Sequence, residues 1–168
     1  MKILLKIINL TLILAAISLG LWLVNRNFPA AGEMVITAAL GQDRPAISRL
    51  GPPTRQKMEE GYQIILDSPV YFDVRILPWF NRAQITVVYQ EGERKLTELG
   101  GKLGGEWQYY LVKPLSTSQL ADGFQQSVFV FDLNLLSRPK NLARFLISTA
   151  GSPQDQLKIK ELKVTLFR

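Results

Sequence analysis

No cysteine and no histidine occur in the 168 residues. Without cysteine there is no disulfide staple, so the fold must be held by its core alone even in an oxidising compartment. Together the two absences exclude cysteine nucleophiles, histidine general bases, a Ser-His-Asp triad and the usual zinc sites. Acidic residues are fewer than basic ones, 14 against 20, for a formal charge of +6. No basic run is longer than the alternating Lys158, Lys160 and Lys163, which have the spacing of a solvated strand face. No nucleic-acid partner is therefore expected. Beyond the first 25 residues there is no long helical pattern, and no internal repeat.

What is there is unevenly spread. Hydrophobic residues make up 47% of the chain, and the excess sits in the first 24 positions. Residues 7–24 read IINLTLILAAISLGLWLV, without a charge. With residues 3–5 ahead of it, the run approaches the roughly 20 residues that span a bilayer core. Trp22 lies where an interfacial aromatic belongs. Lys2 and Lys6 precede or interrupt the run and Arg26 follows it. The positive-inside bias then places the N-terminus in the cytoplasm and the rest outside. A cleaved signal peptide is the competing reading. Phe28-Pro29-Ala30 and Pro29-Ala30-Ala31 set a bulky residue or proline where a small one is wanted, and Ser18-Leu19-Gly20 lies inside the run. The expectation is an uncleaved signal anchor over 1–25, with the bilayer as partner of residues 3–24. A short linker over 26–33 follows, at most ~28 Å long when extended. A single extracytoplasmic domain would occupy 34–168.

That domain reads as short alternating segments broken by Gly, Pro, Asp and Asn. Strands are expected over 34–40, 62–66, 70–77, 83–90, 95–99, 106–112, 127–133, 143–148 and 157–167. Residues 45–60 read as irregular, Gly100-Gly101 as part of a loop, and 113–123 as a loop with a turn of helix near 116–121. Phe72, Val74 and Ile76 face inward in one strand, and Ile85, Val87 and Tyr89 in the next. Trp107, Tyr109 and Leu111 are assigned to the inward row of theirs, with Tyr110 on the opposite side. In the last strand Leu157 and Ile159 are in phase. The pattern then slips by one at Glu161, and Leu162, Val164 and Leu166 take over, as a β-bulge requires. The fold class is all-β, a two-sheet antiparallel sandwich of jelly-roll type behind one transmembrane helix.

The run PVYFDVRI, the aromatic segment EWQYYLV, the segment RFLIS and the bulged closing strand IKELKV together resemble the jelly-roll sandwiches of the galactose-binding-like and carbohydrate-binding-module group. The resemblance spans most of residues 34–168 and is architectural. It implies a binding or assembly module.

Aromatics and polar groups supply the candidate site. Sugar rings stack on exposed aromatics while Asp, Arg, Asn or Gln bond their hydroxyls. Tyr71, Asp73, Arg75, Gln108 and Tyr110 are placed on one outer face, and Trp79 follows Pro78 in a turn. The plainer alternative is that these rings cap the core or meet a partner. Carboxylates are the plausible acid–base groups that remain, and a glycosidase needs two at a set separation in a cleft. Glu59 and Glu60 are adjacent, so on a strand they point apart. Asp67 and Asp73 flank one strand start. No catalytic residue and no metal ligand is therefore assigned. A structural calcium would draw on Asp67, Asp73, Asp122 and Asp132, but no dense Asp/Asn/Gly loop supports it. No cofactor is expected. The functional expectation is a non-catalytic, membrane-anchored binding module for carbohydrate. The alternatives are an interaction or scaffold subunit of an envelope complex and, behind both, an envelope-polymer hydrolase.

Overall fold

The structure is a computed structural model and describes residues 2–27, 32–152 and 154–168. The chain divides into two compact units, Met1–Met34 and Val35–Arg168. The first holds α1 (Lys2–Asn27). At ~1.5 Å per residue, 26 residues exceed the ~30 Å of a hydrocarbon core. The segment Lys6–Leu23 has a mean hydropathy of 1.9 and none of it is buried against protein. It is thus apolar all round rather than along one stripe. Thr11 donates its hydroxyl to the Ile7 carbonyl at 2.9 Å, which satisfies a polar group inside the run. Half of the linker expected over 26–33, residues 28–31, lies outside the described residues.

The second unit is a β-sandwich. Its strands are β1 (Glu33–Thr37), β2 (Gln56–Glu59), β3 (Tyr62–Ile65), β4 (Val70–Arg75), β5 (Arg82–Glu91), β6 (Lys95–Lys102), β7 (Tyr109–Val112), β8 (Ser116–Gln119), β9 (Gln125–Asp132), β10 (Leu142–Ala150) and β11 (Leu157–Phe167). One sheet runs β2-β3-β11-β5-β9-β8, with β1 also paired to β11; the other runs β4-β10-β6-β7. The chain changes sheet at β3–β4, β4–β5, β5–β6, β7–β8, β9–β10 and β10–β11. The inner strands therefore bury one side against the opposite sheet.

The core follows from period-two alternation. Phe72 and Val74 in β4, Ile85 and Val87 in β5, Phe129 and Phe131 in β9, and Phe145 and Ile147 in β10 are fully buried. Burial of each such side chain is worth about 1.5–3 kcal/mol. Phe145 stacks on Phe72 within its sheet at 5.6 Å between centroids and meets Phe131 of the other sheet edge-on at 5.1 Å. In β11 the register against β5 shifts between Ile159 and Glu161, and Leu157, Ile159, Leu162, Val164 and Leu166 are all buried. The bulge read from the phase slip is present.

Three local expectations are corrected. Residues 56–59 form β2, paired with β3, where irregular chain was expected. Residues 116–119 form β8 against β9 rather than a helical turn; an edge strand exposed on both faces carries no hydrophobic alternation. Gly100 and Gly101 belong to β6 rather than to a loop, because side chains from neighbouring segments occupy the space their own would need. A Cβ on Gly101 would stand 2.6 Å from Leu136 Cδ2.

Among the described residues one ionic group is buried. Arg94, in the β5–β6 turn, is 1% exposed. Its Nε donates to the Asp155 carbonyl at 3.1 Å, Nη1 to Thr149 Oγ1 at 3.0 Å, and Nη2 to the Leu66 and Ser152 carbonyls at 2.8 Å each. The guanidinium fork ties the ends of β3 and β10 to the β10–β11 turn.

Candidate functional site

The outer face of the four-stranded sheet gathers most of the chemistry. Alternation turns Tyr71, Asp73 and Arg75 of β4 outward, opposite buried Val70, Phe72 and Val74. The registers then align rows across the sheet. Tyr71 pairs with Leu146, Leu146 with Gly100, and Gly100 with Leu111. Asp73 pairs with Arg144, and Lys102 with Tyr109. Arg144 and Lys102 each stand one residue past the registered pair Phe145–Gly101, so these four side chains form a second row. Arg75 pairs with Leu142 beyond it.

Arg144 is the hub. Its Nε and Nη2 donate to the two Asp73 carboxylate oxygens at 2.8 and 2.9 Å. Its guanidinium carbon lies 4.6 Å from the Tyr71 ring centroid. The hydrogen bonds to Asp73 hold the Arg144 guanidinium above its usual range. With side chains 39% and 29% exposed, the pair is screened and contributes at most about 1 kcal/mol. Its main effect is to fix two hydrogen-bonding groups in one plane. Tyr109 is half-buried, and burial raises its phenol above the ordinary value; the charges of Arg144 and Asp73 also reach it. At Gly100 there is no side chain, and a Cβ would meet Leu146 at 2.9 Å and Leu111 at 3.0 Å. The two leucines close over it and make an apolar strip beside the polar row.

The expected site residues divide. Tyr71, Asp73 and Arg75 share the outer face. Tyr110 does not: it pairs with Gly101 and takes the inner phase of β7, although it stays 42% exposed at the sheet edge. Its neighbours Tyr109 and Leu111 take the outer face instead, reversing the side expected for that strand. Because β7 is an edge strand exposed on both faces, its alternation does not tell inside from outside. Trp107 is not inward but 85% exposed, with φ of 56° at the tip of the β6–β7 hairpin. Gln108 sits in that hairpin, its carbonyl accepting from Leu103 N at 2.8 Å and its side chain lying over Gly105. Trp79 is 43% exposed in the β4–β5 connection, beside Phe80 and within 5.8 Å of the Arg168 guanidinium carbon. Phe80 alone caps the core.

Arg144, Tyr109 and Lys102 were missed. The pairing of Arg144 with Asp73 spans 71 residues of sequence, and nothing local signals it.

Other polar clusters have structural partners. Glu91, Glu93 and Asp155 border a depression of about 440 Å³ at the β5–β6 turn. Glu91 accepts from Leu96 N and pairs with Lys95, and Asp155 accepts from Ser152 N. Asp67 accepts from Ser68 N, and Asp132 from Asn134 N. Among the described residues no three acidic groups gather as a metal site would need.

No family model matches the sequence, and no curated protein matches it. In three dimensions the chain is similar to a xylan-binding module, CBM15, with a TM-score of 0.49 and 16% identity over 80% of this chain and 97% of that one. It is also similar to TmCBM61, solved in complex with β-1,4-galactotriose, with a TM-score of 0.35 and 13% identity over 79% of this chain and 86% of that one. A third is the enzymatically active domain of the bacteriophage CBA120 tailspike protein 4, with a TM-score of 0.34 and 8% identity, where 83% of this chain covers 20% of that one. The likeness is one of sandwich architecture, and no residue's role is carried across.

Proposed function

We propose that the sandwich is a non-catalytic glycan-binding module, held at the outer surface of a membrane by α1, with its binding surface on the outer face of the four-stranded sheet. The observation that carries this reading is the pair of aligned rows: an apolar strip of Tyr71, Leu146 and Leu111 beside a polar row of Asp73, Arg144, Lys102 and Tyr109. A pyranose has one face of C–H groups and a rim of hydroxyls. The strip suits the first and the row suits the second. Tyr71 already carries Arg144 on its ring, so Tyr109 and Leu111 are the surfaces a sugar would cover.

The test is a glycan array probed with the full chain in detergent micelles, wild type beside Tyr109→Ala. Retention of at least one polysaccharide is expected, weakened about tenfold by the substitution, the size of one lost stacking contact. Equal retention of the variant would move the site off this face.

A second reading, an interaction subunit of an envelope complex, is favoured by the open edge at β7. There Trp107, Tyr110, Leu111 and Leu115 expose apolar surface along one short stretch. An array on which no glycan is retained would shift the assignment to that edge.

A further inference from the structure

At one end of the proposed binding face lies a depression of about 310 Å³, bordered by Asp73, Lys102, Ser137, Lys140, Leu142 and Arg144. Three of these side chains are cationic and one is anionic. Asp73 is already engaged on both oxygens by Arg144. Among the described residues neither Lys102 nor Lys140 forms an ion pair. Two positive charges are therefore left facing the same hollow, next to Tyr109, the cross-strand partner of Lys102.

The turn that presents Lys140 is built at a cost. Lys140 and Asn141 both have left-handed backbone, with φ of 54° and 63°. A non-glycine residue there costs of order 1 kcal/mol and persists only where its surroundings hold it. They do: Ile76 N donates to the Asn141 carbonyl at 2.8 Å, and Asn141 N donates to the Arg138 carbonyl at 3.1 Å. Arg138 in turn donates to the Phe80 carbonyl at 3.0 Å. Lysine is thus held at a position where glycine or asparagine would sit with less strain.

We propose that this depression recognises the acidic group of an anionic glycan. The carboxylate or phosphate lies between Lys102 and Lys140, and the ring it belongs to lies over Tyr109 and Leu111. The inference rests on the glycan reading above and names its ligand class. Two partly exposed charges make it sensitive to salt.

The experiment uses the full chain in detergent micelles against immobilised polygalacturonate, a phosphodiester-bearing glycan, neutral xylan, neutral galactan and polyglutamate. At least one acidic glycan should be held about tenfold more tightly than either neutral one, and polyglutamate weakly. Which acidic glycan is held separates carboxylate from phosphate. The double variant Lys102→Gln/Lys140→Asn should lose about tenfold per charge, and Lys113→Gln, outside the depression, nothing. Asparagine keeps the left-handed backbone comfortable. As a check that needs no variant, wild-type retention on the acidic glycan should fall steeply between about 50 and about 500 mM salt. Equal retention of neutral and acidic glycans, salt-independent retention, or an unaffected double variant overturns the charge inference and leaves the glycan reading standing. Polyglutamate held as tightly as the acidic glycan overturns it too. No retention on any glycan removes both.

Discussion

Arg94 and Arg144 show how differently one side chain is used at two depths. Arg94 is enclosed, and its guanidinium donates to three backbone carbonyls and one hydroxyl. A methionine of similar length would fill much of the volume and donate nothing. The Leu66 and Ser152 carbonyls would then lose their donor. Arg94→Met is expected to lower stability by about 2–4 kcal/mol, read as a lower midpoint in urea unfolding of the full chain in detergent. A loss below about 0.5 kcal/mol would mean that water replaces the guanidinium without cost. Arg144, by contrast, is partly solvated, so its removal should cost binding more than folding. Sequence shows two arginines, one after a Glu-Gly-Glu turn and one in a strand. Neither burial nor partner can be read from those positions.

At the scale of elements, the strands that face the core were legible and the edges were not. β4, β9 and the first half of β5 alternate cleanly because one face is sealed and the other partly solvated. The β11 bulge was legible for the same reason: an extra residue between two buried runs shifts the phase visibly. β7 and β8 sit at sheet edges with exposed faces, and β2 does likewise. Their sequences therefore carry no inward signal. The glycines of β6 are a second case where neighbours decide. Gly101→Val would drive its side chain into Leu136 and is expected to cost about 1–3 kcal/mol in the same unfolding assay. Gly104→Val, with nothing within 4 Å of its Cβ position, should be close to neutral. Equal costs at the two sites would refute the packing explanation.

For the whole molecule, α1 is the feature on which the proposed location depends. Its exposed residues 7–23 carry no charge and are mostly apolar, which suits lipid. An arginine at the centre of a membrane helix costs about 2.5–3.5 kcal/mol on the insertion scale. Leu14→Arg is therefore expected to move a large share of the chain from the carbonate-resistant membrane fraction to the soluble one, while the sandwich keeps its unfolding midpoint. A wild-type chain that carbonate strips from membranes would end the anchor reading. The proposed glycan binding does not depend on that outcome, since the residues assigned to it all come from β4, β6, β7, β10 and the turn before β10.

The sequence by itself determined the apolar N-terminal run, the all-β character of the rest, the inward rows of the central strands and the bulge in the last one. All of these are set by local period, and local period is written in neighbouring residues. Only the tertiary structure decided which strands lie side by side, and hence that Asp73 meets Arg144 and Lys102 meets Tyr109. It also turned Tyr110 away from the outer face and set Tyr109 there, and it left Lys102 and Lys140 around one hollow. The reason is physical: strand order and register are fixed by burial summed over both sheets, and no single segment carries that sum.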